Sequence, residues 1–551
     1  MGVGTAFPSP SGVGREKRGR AMTRILQTSF WIMVITLVSK FLGFLRETAI
    51  AKYFGATSEA DAFFVAFSIP GVLLATVVAA VGTTFIPVYE RLNGNKRDRY
   101  LANLTNIVGL FSLLLFVVSY LFAGPLVRLF APGFPEDTFA LAVRLERIFL
   151  LSVLFLGYTA LFSAYLQVKG KFLFPAAVGI PFNLILVGTL FAVGSRLDIV
   201  GFMWIAVVAT FSQFLLVAFP LLRVGYPYRP LLDFREEGFR QTLVLFSPVV
   251  IGTAASQVAV MVDRMLASGL PAGSVSALNY ANKLMQFTYG VLATSLFVVL
   301  FPHFTRIAAR EGTEELSRTL RRTLEGLLLF LLPVTAGSVV LALPVVQVLF
   351  ERGVFTREAT TITAPLFALF SLGLFGLSLR DLWMRAFYAL QDTRTPMWNS
   401  VFSVALNIAL NLLLVGPLGA QGLALSTSVS FTVAAFLLHR DLARRIGQLW
   451  DANLRAASFR AVLATGGLTL ALLPVPYVFP YDTRFFVRIL LLLAVIASGA
   501  ALYAFLLYVL GDPTVRRVVE HGRSRIFALR GKSPREMWES GKRLFLERLR
   551  N

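Results

Sequence analysis

Ionised side chains lie inside long apolar stretches of this sequence, where each costs about 2.5–3.5 kcal/mol even on a lenient insertion scale. Lys40, Arg46 and Glu47 fall in the first such stretch, and Asp61 opens the second. Arg144, Glu146 and Arg147 fall in the fourth, Asp263 and Arg264 in the seventh, Lys283 in the eighth, and Arg380, Asp381 and Arg385 in the tenth. Neighbours can neutralise one another: Glu47 with Arg46 or Lys40, Asp263 with Arg264, Arg380 with Asp381. Asp61 can equally cap the second helix by accepting hydrogen bonds from its free N–H groups. Lys40, Arg46 and Lys283 leave a cationic surplus drawn from both parts of the chain. Facing a water-filled cavity, such cations suit an anionic substrate, above all a phosphate or pyrophosphate head group.

A second constellation is neutral but geometrically sharper. Asn407 and Asn411 are four apart in the eleventh stretch, hence on one helix face. With Thr427 in the twelfth and Asp263 in the seventh, they could supply one carboxylate, two amide oxygens and a hydroxyl to a hard cation such as sodium. Plain interhelical hydrogen bonding is the alternative. Catalytic chemistry has little to draw on. Cysteine is absent, and the three histidines (His303, His439, His521) are too far apart in sequence for a metal-ligand cluster.

The elements that must position these residues are membrane helices. The 551 residues are 56% hydrophobic and 15% charged, where soluble chains carry about a quarter charged residues. The apolar blocks are long enough to cross a hydrocarbon core. They place helices at 27–53, 61–90, 102–131, 138–167, 172–194, 199–222, 241–267, 275–305, 320–350, 358–390, 396–416, 420–439, 457–479 and 485–510, an all-α polytopic protein of about fourteen transmembrane helices. Connectors alternate in charge. Those after even-numbered helices are basic (Arg91, Lys96, Arg97, Arg99; Lys169, Lys171; Arg440, Arg444, Arg445), while GATSEA (55–60), APGFPED (131–137), GLPAGS (269–274) and GPLGAQG (416–422) carry no Lys or Arg. The positive-inside rule then puts both termini in the cytoplasm. The net charge of +22 therefore belongs to topology and to anionic lipid, and no nucleic-acid partner is expected. The first block lacks a small-x-small cleavage site and reads as a retained helix behind a basic segment, 1–26. The tail, 512–551, is basic, and its end (Trp538, Leu544, Phe545, Leu549 among charges) reads as an amphipathic surface helix.

The sequence also repeats. Gly71-Val-Leu-Leu-Ala-Thr leading to Phe85-Ile-Pro-Val-Tyr-Glu-Arg91 returns as Gly290-Val-Leu-Ala-Thr-Ser leading to Leu300-Phe-Pro-His-Phe-Thr-Arg306, 219 residues on (71 to 290). Leu166-Gln167 and Asn183 return as Leu390-Gln391 and Asn407, 224 residues on (183 to 407). Six helices per repeat give both halves the same orientation, related by a pseudo-twofold along the membrane normal around a central cavity. The expected organisation is an N-lobe at 27–222, a linker at 223–240, a C-lobe at 241–445, and two added helices at 446–511.

Ser39-Lys-Phe-Leu-Gly-Phe-Leu-Arg46-Glu47, Phe54-Gly-Ala, Asp61-Ala-Phe-Phe-Val-Ala-Phe-Ser-Ile-Pro70, Phe85-Ile-Pro87, Gly273-Ser-Val-Ser276 with Tyr280-Ala281, and Arg385-Ala-Phe-Tyr-Ala-Leu-Gln-Asp-Thr-Arg-Thr-Pro396 resemble, in order, the motifs of the lipid II flippase family (MurJ, or MviN). The resemblance implies two six-helix lobes plus two helices forming a groove for a polyprenyl tail. It implies transport of an undecaprenyl-pyrophosphate-linked peptidoglycan precursor across the bacterial inner membrane, in service of cell-wall biogenesis. It nominates Arg46, Glu47 and Asp61 as functional, with Lys40 and Lys283 where the family usually has Arg. It also implies a sodium site at Asp263, Asn407, Asn411 and Thr427, although Asn411 stands where an acid would bind better. The chain departs from the family after Pro70, where Gly71-Val-Leu-Leu-Ala75 lacks an expected Arg, at Val78, and at Gln286, which replaces a common Glu. Those losses leave another lipid-linked oligosaccharide as an alternative substrate.

A cation-coupled multidrug exporter would share the architecture, but it calls for an acidic or aromatic cavity, against which Lys40, Arg46 and Lys283 argue. A glycosyltransferase would need an extramembrane acid/base or metal-binding cluster, and no loop carries one. The reading is therefore a monomeric flippase, not an enzyme, working by alternating access on a lipid-linked pyrophosphate among membrane lipids.

Overall fold

The computed structural model describes residues 13–291, 295–310, 312–481, 483–517 and 520. Its helices are α1 (Val13–Phe54), α2 (Ser58–Arg91), α3 (Asn95–Leu121), α4 (Ala123–Phe130), α5 (Glu136–Phe149), α6 (Val153–Val168), α7 (Leu173–Ala177), α8 (Gly179–Val193), α9 (Ile199–Val224), α10 (Glu237–Ser268), α11 (Ser274–Tyr289), α12 (Ser295–Arg310), α13 (Gly312–Val340), α14 (Ala342–Phe350), α15 (Arg357–Ala389), α16 (Arg394–Leu418), α17 (Ala420–Ile446), α18 (Ala452–Leu472), α19 (Val475–Val478) and α20 (Phe485–Val509). No strand occurs among the described residues, and each of the fourteen expected passes is carried by helix. Among the described residues, eleven helical stretches are individually long and apolar enough to span a membrane. The passes at 138–167 and 275–305 are each divided between two shorter helices. Helix α1 starts ahead of its expected apolar boundary, at Val13, so the basic segment continues it. The amphipathic helix expected at the C-terminal end lies outside the described residues.

The repeat is visible in what packs on what. Helix α1 lies on α8 as α10 lies on α16, and α2 packs on α5 and α6 as α11 and α12 pack on α15. The pairs α8–α9 and α6–α9 return as α16–α17 and α15–α17. The division into compact bodies differs from the expected one. One unit joins Met1–Leu316 with Ala342–Gly447, and the other joins Ser317–Leu341 with Gln448–Asn551. Most of α13 thus leaves the second half for the C-terminal helices. Within that second unit Arg321 Nη1 lies 3.3 Å from Asp451 Oδ2, and Arg460 Nε lies 3.6 Å from the buried carboxylate of Asp512. Cations of a membrane helix settle where carboxylates are available.

The two halves of the larger unit close on each other at the end poor in Lys and Arg. Val354 N–H donates to Lys52 O at 2.8 Å, Tyr280 Oη to Gly55 O at 2.8 Å, and Gly133 N–H to Ser268 Oγ at 3.1 Å. The approach is close enough to require glycine. Gly353 has φ +64° and a Cβ there would stand 2.3 Å from Lys52 O. Phe64, Tyr280, Phe350 and Phe355 are buried together beneath this seam.

Candidate functional site

Asp61 explains the Gly273-Ser-Val-Ser276 motif. Its Oδ2 accepts from Gly273 N–H and its Oδ1 from Ser276 N–H, both at 2.7 Å. These are the free donors at the start of α11, which a carboxylate satisfies both as acceptor and as charge against the helix dipole. Gly273 sits at φ +88°, and a Cβ there would lie 2.4 Å from Ala56 O. The cap of α2 itself is Thr57, whose side chain accepts from Ala60 N–H. Asp61 therefore does not cap its own helix, and it does not reach the cavity described next. Buried and fully engaged, it clasps the two halves.

Inside that clasp, Lys40, Gly43, Phe44 and Glu47 form an i, i+3, i+4, i+7 stripe of α1 lining a chamber of about 500 Å3, with Arg46 at its edge. Helix α1 runs unbroken through Gly43, and Lys40 and Arg46 both border this space. From the other half, Asn282, Lys283, Gln286, Leu377 and Phe431 complete the wall. Phe44 stacks on Phe287 with centroids 4.5 Å apart. Arg46 is held from three sides: Nη1 donates to Asn183 Oδ1 at 3.1 Å, Nη2 contacts Glu47 Oε1 at 2.5 Å, and the guanidinium lies 5.5 Å from the Phe182 ring. Glu47 Oε2 accepts from Asn279 Nδ2 at 3.2 Å, whose Oδ1 accepts from Arg264 Nη2 at 3.4 Å. One polar chain thus runs from α8 through α1 and α11 to α10. Lys40 Nζ rests beside Gly290, at the C-terminal end of α11, where the dipole favours a cation.

A second recess of about 530 Å3 adjoins the chamber, sharing Asn282, Lys283, Gln286 and Phe431 as its wall. All of its lining comes from α10, α11, α15, α16 and α17. Arg264 and Arg380 face it, and neither has the partner expected from its neighbour. Among the described residues, no ion pair joins Asp263 to Arg264 or Arg380 to Asp381. Asp263 instead accepts from Asn411 Nδ2 at 2.6 Å, and Asp381 from Tyr289 Oη. Side chains at i and i+1 diverge around a helix, which is the physical reason. In α5, Glu146 likewise finds no partner: it is fully buried, with both oxygens free of hydrogen bonds, while Arg147 stacks over Tyr120. Of the three adjacent pairs expected to neutralise one another within the apolar stretches, Arg46 with Glu47 is the one that forms. Five cations (Lys40, Arg46, Arg264, Lys283, Arg380) and two carboxylates (Glu47, Asp263) line the joined cavity, a formal surplus of three positive charges.

The four cation-site candidates do converge. Asn411 Nδ2 donates to Asp263 Oδ1 at 2.6 Å and to Asn407 Oδ1 at 3.3 Å, and Asn407 Nδ2 donates to Thr427 Oγ1 at 3.4 Å. Asn411 Oδ1 is left buried without a partner. One carboxylate with neutral oxygens is a donor set that fits a hard monovalent cation. Turning the Asn411 amide over would present its orphaned oxygen. Asn183 and Asn279, which steady Arg46 and Glu47, carry no site role in the sequence reading. Recurrence of Asn183 at Asn407 is the one signal that pointed to it.

The family model described as "Lipid II flippase MurJ" matches residues 50–492. A "Probable lipid II flippase MurJ" of Buchnera aphidicola subsp. Acyrthosiphon pisum is 30% identical over 436 residues, 76% of this chain and 84% of that protein. The "Lipid II flippase MurJ" of Burkholderia cenocepacia is 29% identical over 423 residues, 74% of this chain and 82% of that one. Among solved structures, "Lipid II flippase MurJ, inward closed conformation" matches the fold with a TM-score of 0.74 at 23% identity, over 89% of this chain and 99% of that one. An inward-facing multidrug resistance MATE family transporter of the MOP superfamily matches with a TM-score of 0.62 at 13% identity, over 76% and 98%.

Proposed function

The chain belongs to the lipid II flippase MurJ family, and from that membership and the cationic cavity we propose that Lys40, Arg46 and Lys283 bind the pyrophosphate of a lipid-linked peptidoglycan precursor for transfer from the inner to the outer leaflet. The protein is a multi-pass transporter of the bacterial inner membrane and not an enzyme. The observation that carries the binding assignment is the surplus of cations in a cavity between two repeated halves. A buried cation without a counter-ion is costly, and a pyrophosphate supplies the missing charge through charge-assisted hydrogen bonds. Both termini and the basic loops lie in the cytoplasm, so the seam is periplasmic and the cavity loads from inside. Reporter fusions at Asn551 and within 269–274 should give opposite signals, and equal signals would sink this orientation.

Transport follows as alternating access. Head-group binding draws Lys40 and Arg46 on α1 and Lys283 on α11 together, and the Asp61 and Tyr280 contacts release as the halves rock. Glu47 keeps Arg46 aimed while the site is empty. The prenyl tail stays in lipid. Asp263, Asn407, Asn411 and Thr427 would hold a sodium ion, which would supply a fixed positive charge next to Arg264. The protein acts as a monomer. A multidrug exporter is disfavoured because its cationic substrates would be repelled by this cavity.

The test is a leaflet-accessibility assay for lipid II in cells that depend on this protein alone. Arg46→Ala should abolish transport with the protein still folded in the membrane, and Arg46→Lys should retain part of it, since charge survives without the bidentate fork. Wild-type flipping by Arg46→Ala would refute the cationic-cavity mechanism.

A further inference from the structure

The recess in the C-terminal half holds a guanidinium that the pyrophosphate site does not use. Arg380 donates through Nη2 to Ser400 Oγ at 3.2 Å and lies 5.8 Å from the Phe431 ring centroid. No carboxylate lies within 4 Å of it, because Asp381 turns away to Tyr289. Around it the recess offers neutral hydrogen-bonding groups, among them Asn282, Gln286, Ser400, Ser403 and Ser430. With Arg264, Lys283 and Asp263 also on its wall, the recess carries a formal surplus of two positive charges, which suits a polar ligand that bears an anion.

Which anion follows from where the tail must go. The chamber against α1 holds the three cations assigned to the pyrophosphate, and the 56% exposed Phe41 leaves another face of α1 apolar and open. A pyrophosphate tethered to a prenyl chain belongs there, with Lys40, Arg46 and Lys283. The recess lies beyond Lys283, away from α1, and is walled by the second half alone. Whatever fills it is the far end of the head group. We propose that Arg380 and Ser400 form a second anion subsite, which holds a carboxylate of the peptide carried by the saccharide head group. Resting on the flippase reading, this subsite makes the transporter selective for peptide-bearing substrates. The saccharide spans the shared wall at Asn282 and Gln286.

The purified full chain in proteoliposomes tests this with two lipid-linked substrates of the same prenyl pyrophosphate and saccharide. One carries free peptide carboxylates, and the other has them amidated. Wild type should move the free acid about ten- to a hundred-fold faster, the worth of one charge-assisted hydrogen bond pair. Arg380→Gln should bring that ratio to near one, and Arg380→Lys should give an intermediate ratio. A wild type that moves both at one rate overturns the subsite alone. So does an Arg380→Gln protein that slows both by one factor, which would place the pyrophosphate itself in the recess. Should Arg380→Gln fail to accumulate, the two wild-type rates still decide. Transport of neither substrate overturns the flippase reading, and the subsite with it.

Discussion

Asp61→Asn should loosen the seam, because this one side chain ties the start of α2 to the start of α11. Its two oxygens accept N–H groups of Gly273 and Ser276 at 2.7 Å each. Hydrogen bonds to a charged acceptor are worth about 1.5–3 kcal/mol apiece. Asparagine keeps one acceptor and turns the other atom into a donor facing an N–H, and it removes the charge that the α11 dipole favours. The net loss is about 2–4 kcal/mol, which moves the balance between sealed and open roughly 30- to 1000-fold towards open. The chain has no cysteine, so a single reporter has no background. Ser268 is 3% exposed in the sealed seam, and its Oγ accepts from Gly133 N–H. A Ser268→Cys protein should react slowly with a membrane-impermeant maleimide applied to the seam side of the membrane. Adding Asp61→Asn should speed that reaction more than about tenfold. Unchanged labelling in a folded double variant would refute the clasp.

Gly273→Ala should act in the same direction, since φ +88° and a 2.4 Å approach to Ala56 O leave no room for a methyl group; the same maleimide rate reads it. Asn411→Asp should strengthen sodium binding, measured as protection of the purified protein against heat by sodium over potassium, because it adds a second carboxylate and removes the amide that donates to Asp263. Equal protection by both ions in Asn411→Asp would rule out a cation at these residues. In the linker between α9 and α10, Asp233 accepts from Arg235 N–H and Arg99 Nη2, which hold its carboxyl below the usual 3.8. Its stabilising share is complete above that ordinary value and disappears as pH falls through the lowered one. Hydrogen-exchange protection of 225–236, corrected for the intrinsic pH dependence of exchange, should therefore stay constant over about pH 5–8 and fall only below 3.8, and Asp233→Asn should abolish that step.

Hydropathy, loop charge and the 219- and 224-residue recurrences were enough to read a helical membrane protein built of two like halves. Each depends on local composition or on comparing the chain with itself, and burial in lipid forces the backbone into helices whatever the partners are. Family motifs then named most of the cavity: Lys40, Arg46, Glu47 and Lys283 do surround one chamber, and Asp263, Asn407, Asn411 and Thr427 do meet. What only the tertiary structure decided is who answers whose charge. Asp61 spends itself on amides 212 and 215 residues away. Asp263 and Asp381 turn from their adjacent arginines to Asn411 and Tyr289, and so release Arg264 and Arg380 to the cavity. Membership of α13 in the C-terminal unit was equally invisible. Adjacent residues on a helix point about 100° apart, so nearness in sequence places two charges on different faces. The helix that each face meets, and hence the partner of each charge, exists only once the bundle is assembled.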